Sequence, residues 1–211
     1  MNTHLLIEML ARGAGPAPRA VVARRVVPAA AVGLLCSCLL ALLIIGPLPP
    51  EIFSTPAPWI KLTYGASLGV AASWLTAKLA RPVAHSAWPV AAVLGVFVAM
   101  ALAGFNAVLQ VPPEDRVSTL LGQTWLMCPW VLLALSLPAL AAILWALRGL
   151  APTDLRGAGT AAGVLAGAIG AIGYALACPE NSTAFVAVWY TLGIGLTALI
   201  GRWAGPRLLR W

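Results

Sequence analysis

Along the 211-residue chain, apolar runs of about twenty residues alternate with short stretches where prolines and charges collect. A run of that length is what an α-helix needs to cross a hydrocarbon layer of roughly 30 Å. Six such runs are readable, at about 26–46, 64–81, 87–109, 129–148, 157–178 and 185–204. The second is diluted by Ser67, Ser73, Thr76 and Lys78, and its start is drawn back toward Trp59 or Ile60. Proline marks two boundaries. Pro129 suits the first position of a helix, where the missing N–H has no partner to lose. Pro179 disfavours helical geometry at Cys178, so the fifth run should end there. The predicted architecture is all-α: a polytopic membrane bundle of six transmembrane helices over 26–211, preceded by a tail at 1–25.

Composition agrees with this pattern, since 61% of the residues are hydrophobic and only 9% are charged. A soluble domain carries about 25% charged residues. The net charge of +7 could suggest nucleic acid, but its distribution points elsewhere. With the N-terminus inside, 11 basic residues fall in cytoplasmic segments, and only Lys61 and Arg116 fall in outer loops. That asymmetry orients spans in a bilayer, and it predicts that both termini are cytoplasmic, with no direct contact to nucleic acid. Trp59, Trp88, Trp125, Trp130, Trp203 and Trp211 lie near expected span ends, as interface anchors do.

Ionisable groups inside spans mark transport paths or catalysis, and here the span centres are almost free of them. His4 falls in the tail and His85 in a cytoplasmic loop, so they form no cluster. No phosphate-cradling loop, metal-ligand helix motif or nucleophile elbow is present, so neither an enzyme nor a resident cofactor is predicted. Asn106 reads as an interhelical hydrogen-bonding group. Gly159, Gly163 and Gly167 recur every four residues, which lets helix backbones approach closely in lipid. Tight packing within one bundle is the expectation there, ahead of a homodimer seam.

The four cysteines divide into two kinds. Cys36 and Cys38, two apart on one helix, point about 200° away from each other and read as packing residues. Cys128 and Cys178 each adjoin a proline at a helix end, both toward the outer face. That placement permits a disulfide or a shared soft metal ion. The residues alone leave open whether they form a functional pair or are two unrelated interfacial cysteines.

The stretch "CPENSTAFVAVWYTLGIGLTALIGRWAGPRLLRW" resembles the NrsF family, membrane anti-sigma factors that hold an extracytoplasmic-function sigma factor of the sigma-F type. The features that carry the resemblance are a Cys-acid-Ser segment followed by Phe185 and Trp189-Tyr190, a glycine-rich final span, and the Leu209-Arg210-Trp211 terminus. Size, six spans and a short tail containing "LIEML" agree along the whole chain. Between Leu10 and Arg24 the tail departs from the family in being rich in Ala, Gly and Pro. The resemblance implies a bacterial inner-membrane protein that sequesters its sigma factor. It also implies that Cys128 and Cys178 are external sensors of heavy metals or oxidants, with a soft metal ion as signal. Leu5, Leu6, Met9 and Leu10 share one helical face of the tail; the resemblance assigns that face to the sigma factor, whereas the residues alone favour a helix lying on the membrane. The rival from another class is a small transporter or channel subunit, for which the chain offers few residues to line a polar path.

Overall fold

The computed structural model describes residues 3–13, 20–81, 86–150 and 152–210, with residues 5, 6 and 11–13 as backbone alone. It is helical, without a strand among the described residues. The helices are α1 Thr3–Gly13, α2 Val21–Ile44, α3 Pro56–Leu79, α4 Ala87–Leu109, α5 Arg116–Leu121, α6 Cys128–Arg148, α7 Leu155–Ala175 and α8 Thr183–Leu208. Within α8 the segment Val186–Tyr190 is π-helical, one wide turn in an otherwise regular helix. Five helices, α2, α4, α6, α7 and α8, are long and apolar enough to cross a membrane. α3 matches them at 24 residues but is less apolar, because Lys61, Thr63, Ser67, Ser73, Thr76 and Lys78 dilute it.

Local chemistry fixes the ends. Asp154 caps α7 by accepting a bond from the Gly157 N–H at 2.9 Å. Ser182 caps α8 in the same way, accepting from the Phe185 N–H at 3.2 Å. Pro56 occupies the first position of α3, and Pro129 sits in the first turn of α6. α3 therefore starts three or four residues before Trp59 and Ile60, where the sequence placed its beginning, and Lys61 lies inside this helix rather than in an outer loop.

α7 is the hub of the bundle. Every residue from 161 to 171 is buried, enclosed by α2, α3, α6 and α8. Its glycine stripe faces α8: a Cβ on Gly159 would fall on the Gly201 carbonyl oxygen, and one on Gly163 on the backbone of Thr197 and Ala198. The stripe is thus spent inside one bundle, and close backbone contact replaces the large side chains that lipid-facing helices carry. α4 is peripheral, packing on α3 through an edge-to-face pair of Tyr64 and Phe97 at 6.5 Å. Its Leu94, Val98, Leu102 and Phe105 are exposed, as for a helix facing lipid. Asn106 lies on this exposed surface and accepts from the Gln110 side-chain amide at 2.8 Å, within α4. It does not bond another helix, because α4 turns that face away from the bundle.

Candidate functional site

At the end of the bundle opposite Arg24, Arg25, Arg148 and Arg210, the segment between α7 and α8 is locked against the segment before α6. The Glu180 carboxylate Oε1 accepts three hydrogen bonds there: from the Gln123 N–H at 2.7 Å, the Thr124 N–H at 2.9 Å and the Thr124 hydroxyl at 3.0 Å. Ser182 donates its hydroxyl to the Thr119 carbonyl at 2.8 Å, and the Trp189 indole N–H donates to the Leu120 carbonyl at 2.9 Å. Trp125 and Trp189 pack with ring centroids 5.4 Å apart. Each polar residue of the "CPENSTAFVAVWY" stretch that enters this clamp reaches a main-chain group more than fifty positions away. Gly122 makes the turn possible. Its φ of +58° is costly for any residue with a Cβ, and a Cβ there would meet the Glu180 carboxylate and the Phe185 ring.

Beneath the clamp lie the two proline-flanked cysteines. Cys128 is the first residue of α6, and Cys178 follows the last turn of α7. Both are fully buried, 0% exposed, and neither is in a disulfide. The thiols are therefore not surface groups. The Cys128 N–H donates to the Thr124 carbonyl at 2.8 Å, and the Cys178 N–H to the Tyr174 carbonyl at 2.9 Å. Lys61, 1% exposed, reaches from α3 and donates its ammonium to the Cys178 carbonyl at 2.7 Å. Lys61 and the hydroxyls of Tyr174 and Tyr190 each lie within electrostatic reach of both sulfurs. Tyr174 and Tyr190 stack at 5.6 Å. The buried Tyr190 hydroxyl, in the π-helical turn, has the Cys178 thiol as its polar neighbour. One residue later, the Thr191 hydroxyl meets the Tyr64 hydroxyl of α3 at 2.8 Å.

The structure thus gathers Cys128 and Cys178 in one buried cluster and keeps Cys36 and Cys38 apart from it, half-buried in the middle of α2. No group of three or more His, Cys, Asp or Glu that could hold a metal occurs among the described residues. A soft ion at this place would find two thiolates as its ligands of those types. Lys61 is the residue that sequence reading missed. The available signal was the spacing of Lys61, Tyr64, Leu68, Ala72 and Leu75 along one helical face, all of them buried. In the tail, α1 is helical over Thr3–Gly13, and Met9 and Leu10 are exposed at 65% and 66%. The side chains of Leu5 and Leu6, and all of His85, lie outside the described residues.

Comparison with known proteins places the chain among negative regulators of a sigma factor: a family model described as "Negative regulator of sigma F" matches residues 10–211. Over their full lengths, the chain is 38% identical to the anti-sigma-F factor NrsF of Caulobacter vibrioides. It is 37% identical, again over full lengths, to the probable anti-sigma-F factor NrsF of Azospira oryzae. The chain belongs to the NrsF family, and it is a regulatory protein rather than an enzyme. No solved structure matches it.

Proposed function

We propose that this protein is a six-span anti-sigma factor of the bacterial cytoplasmic membrane, with both termini inside. It holds an extracytoplasmic-function sigma factor of the sigma-F type and releases it when Cys128 and Cys178 react at the outer side. The observation that carries this reading is the shared burial of two free cysteines, fifty positions apart in the chain, in a cluster built by α3, α6, α7 and α8 together. An oxidant that removes two electrons and two protons would join the sulfurs as a disulfide. A soft metal ion would join them by displacing both thiol protons. Either link acts on helices that run to the opposite face, so the two ends of the bundle share one coupling free energy.

The sigma contact falls to the tail. An isolated helix of 11 residues is marginal in water, and the face carrying Leu5, Leu6, Met9 and Leu10 suits a groove on a partner. The family match begins at residue 10, whereas both relatives extend over the whole chain, tail included.

A reporter of the sigma factor's genes in the native host tests the reading. Cys128→Ser and Cys178→Ser should each abolish the response to cadmium or a thiol oxidant, while Cys36→Ser and Cys38→Ser leave it intact. Wild-type responses from the first two would move the sensor elsewhere. Leu6→Asp with Leu10→Asp should switch the reporter on without inducer and lose the sigma factor on co-purification. Continued repression at normal protein level would move the contact to the cytoplasmic loops.

A further inference from the structure

We propose that the cleft between the start of α2 and the end of α6 is a binding site for an anionic phospholipid. Its phosphate would sit among Arg24, Arg25, Arg148 and Arg210, with an acyl chain along the apolar wall between the helices. The inference uses the membrane reading above but neither the thiol sensor nor the tail contact.

The cleft follows from how the two helices meet. They touch at Gly33 and Ala139, where a Cβ on the glycine would overlap the alanine side chain. Toward the arginine end they enclose a cavity of about 940 Å³. Pro28 stands in this part of α2, and a proline inside a helix removes one main-chain bond and displaces the preceding turn. The volume falls in the range of small-molecule sites, roughly 300–1,000 Å³.

The lining is two-sided in chemistry. Four arginines from three segments of the chain converge at the mouth, all exposed, and no carboxylate is among the lining residues. Gly149 makes the room that Arg25 occupies, since a Cβ at 149 would fall on its guanidinium. Deeper, Val32, Ala142 and Trp145 form an apolar wall. Trp145 is 76% exposed, so this wall opens to the bilayer rather than into the protein. Orientation in a membrane requires only that basic residues lie on the inner side, and arginines scattered over the loops would meet that need. Convergence over an apolar wall at the membrane boundary is a further property. It matches a ligand that has an anionic head and a hydrocarbon chain on one molecule. Guanidinium forks fit phosphate oxygens bidentately, and basic clefts between spans recognise anionic headgroups. Free phosphate has nothing to cover the wall, and an acidic protein segment would leave the wall facing lipid bare.

The test uses the full-length protein, purified in dodecyl maltoside micelles that contain equal amounts of dioleoyl phosphatidylglycerol and dioleoyl phosphatidylcholine. Bound lipid is read by native mass spectrometry, and helical content by circular dichroism. Wild type should retain phosphatidylglycerol over phosphatidylcholine by roughly tenfold or more. Arg25→Gln with Arg148→Gln should bring that ratio to about one at unchanged helical content, while Arg81→Gln, outside the cleft, keeps the preference. Arg25→Lys with Arg148→Lys keeps the charge, and should keep most of the preference. Equal retention of both lipids by wild type, or an undiminished preference in the glutamine variant, would overturn the proposal. A glutamine variant that keeps its lipid but loses the sigma factor would show that the cleft docks protein instead.

Discussion

The two ends of the bundle solve opposite problems. At the thiol end, polar atoms are spent on one another: Glu180, Ser182, Trp189 and Lys61 each bond a group distant in sequence, and the two sulfurs are sealed beneath them. At the arginine end, charge is displayed. Arg24, Arg25, Arg148, Arg202 and Arg210 are exposed around open clefts. A polar network that closes over buried groups has to hold together, because each bond lost exposes the seal. An exposed charge is solvated and can be replaced cheaply. The thiol end should therefore be brittle toward substitution and the arginine end tolerant.

The largest effect expected is from Gly122→Ala. The variant must adopt a positive φ and also push aside the Glu180 carboxylate and the Phe185 ring, which should cost about 3 kcal/mol. Thermal unfolding in detergent would read this as a large drop, and a wild-type midpoint would mean that the turn relaxes freely. Glu180→Ala comes next. It removes an acceptor shared by three donors and leaves the part-buried Thr124 N–H and hydroxyl without it, while water can reach the exposed Gln123 N–H, at about 1 kcal/mol. Hydrogen exchange should rise across 122–127 before it rises in α7. Lys61→Met should fall below both. An apolar side chain of similar length fills the space of a buried cation and removes its desolvation cost, so stability should change by less than about 1 kcal/mol, whereas Lys61→Ala should cost about 2 kcal/mol through the cavity it leaves. Equal losses for Met and Ala would show that the ammonium bond to the Cys178 carbonyl is itself the tie. The smallest effect belongs to the other end: Arg202→Gln should stay within about 0.5 kcal/mol of wild type. A larger loss there would erase the contrast between the ends.

How much of this was readable in the chain depends on whether the cause is local. The start of α6 is set by Cys128-Pro129 and falls within a residue of where the proline puts it. The glycine stripe of α7 announced close packing, because small residues every four positions have few other uses in a helix this apolar. The start of α3, drawn back to Trp59 or Ile60, still fell three or four residues short of Pro56, which carried the signal, and Lys61 was counted with an outer loop. Asn106 looked like a bridge between helices, since a polar residue in an apolar run needs a partner. Gln110, one turn on, supplies that partner locally. The Glu180 clamp was out of reach for a different reason. Its partners lie 56 and 57 positions away, and nothing in either stretch alone indicates that they meet.

α7 also bears on how the protein is made. It is the most enclosed of the five apolar helices, with 89% of its most apolar window buried, and it has the lowest hydropathy of them, 1.4 against 2.2 for α6 and 1.8 for α8. A nascent helix passes from the insertion machinery into lipid according to its own apolarity, and Leu155–Ala175 offers glycine and alanine where its neighbours offer leucine and isoleucine. The feature that lets α8 lie against it in the finished bundle therefore makes it a poor passenger alone. Its entry into the bilayer is best timed to its neighbours, with α6 already in place and α8 soon to follow, so that the last two spans are delivered as a pair.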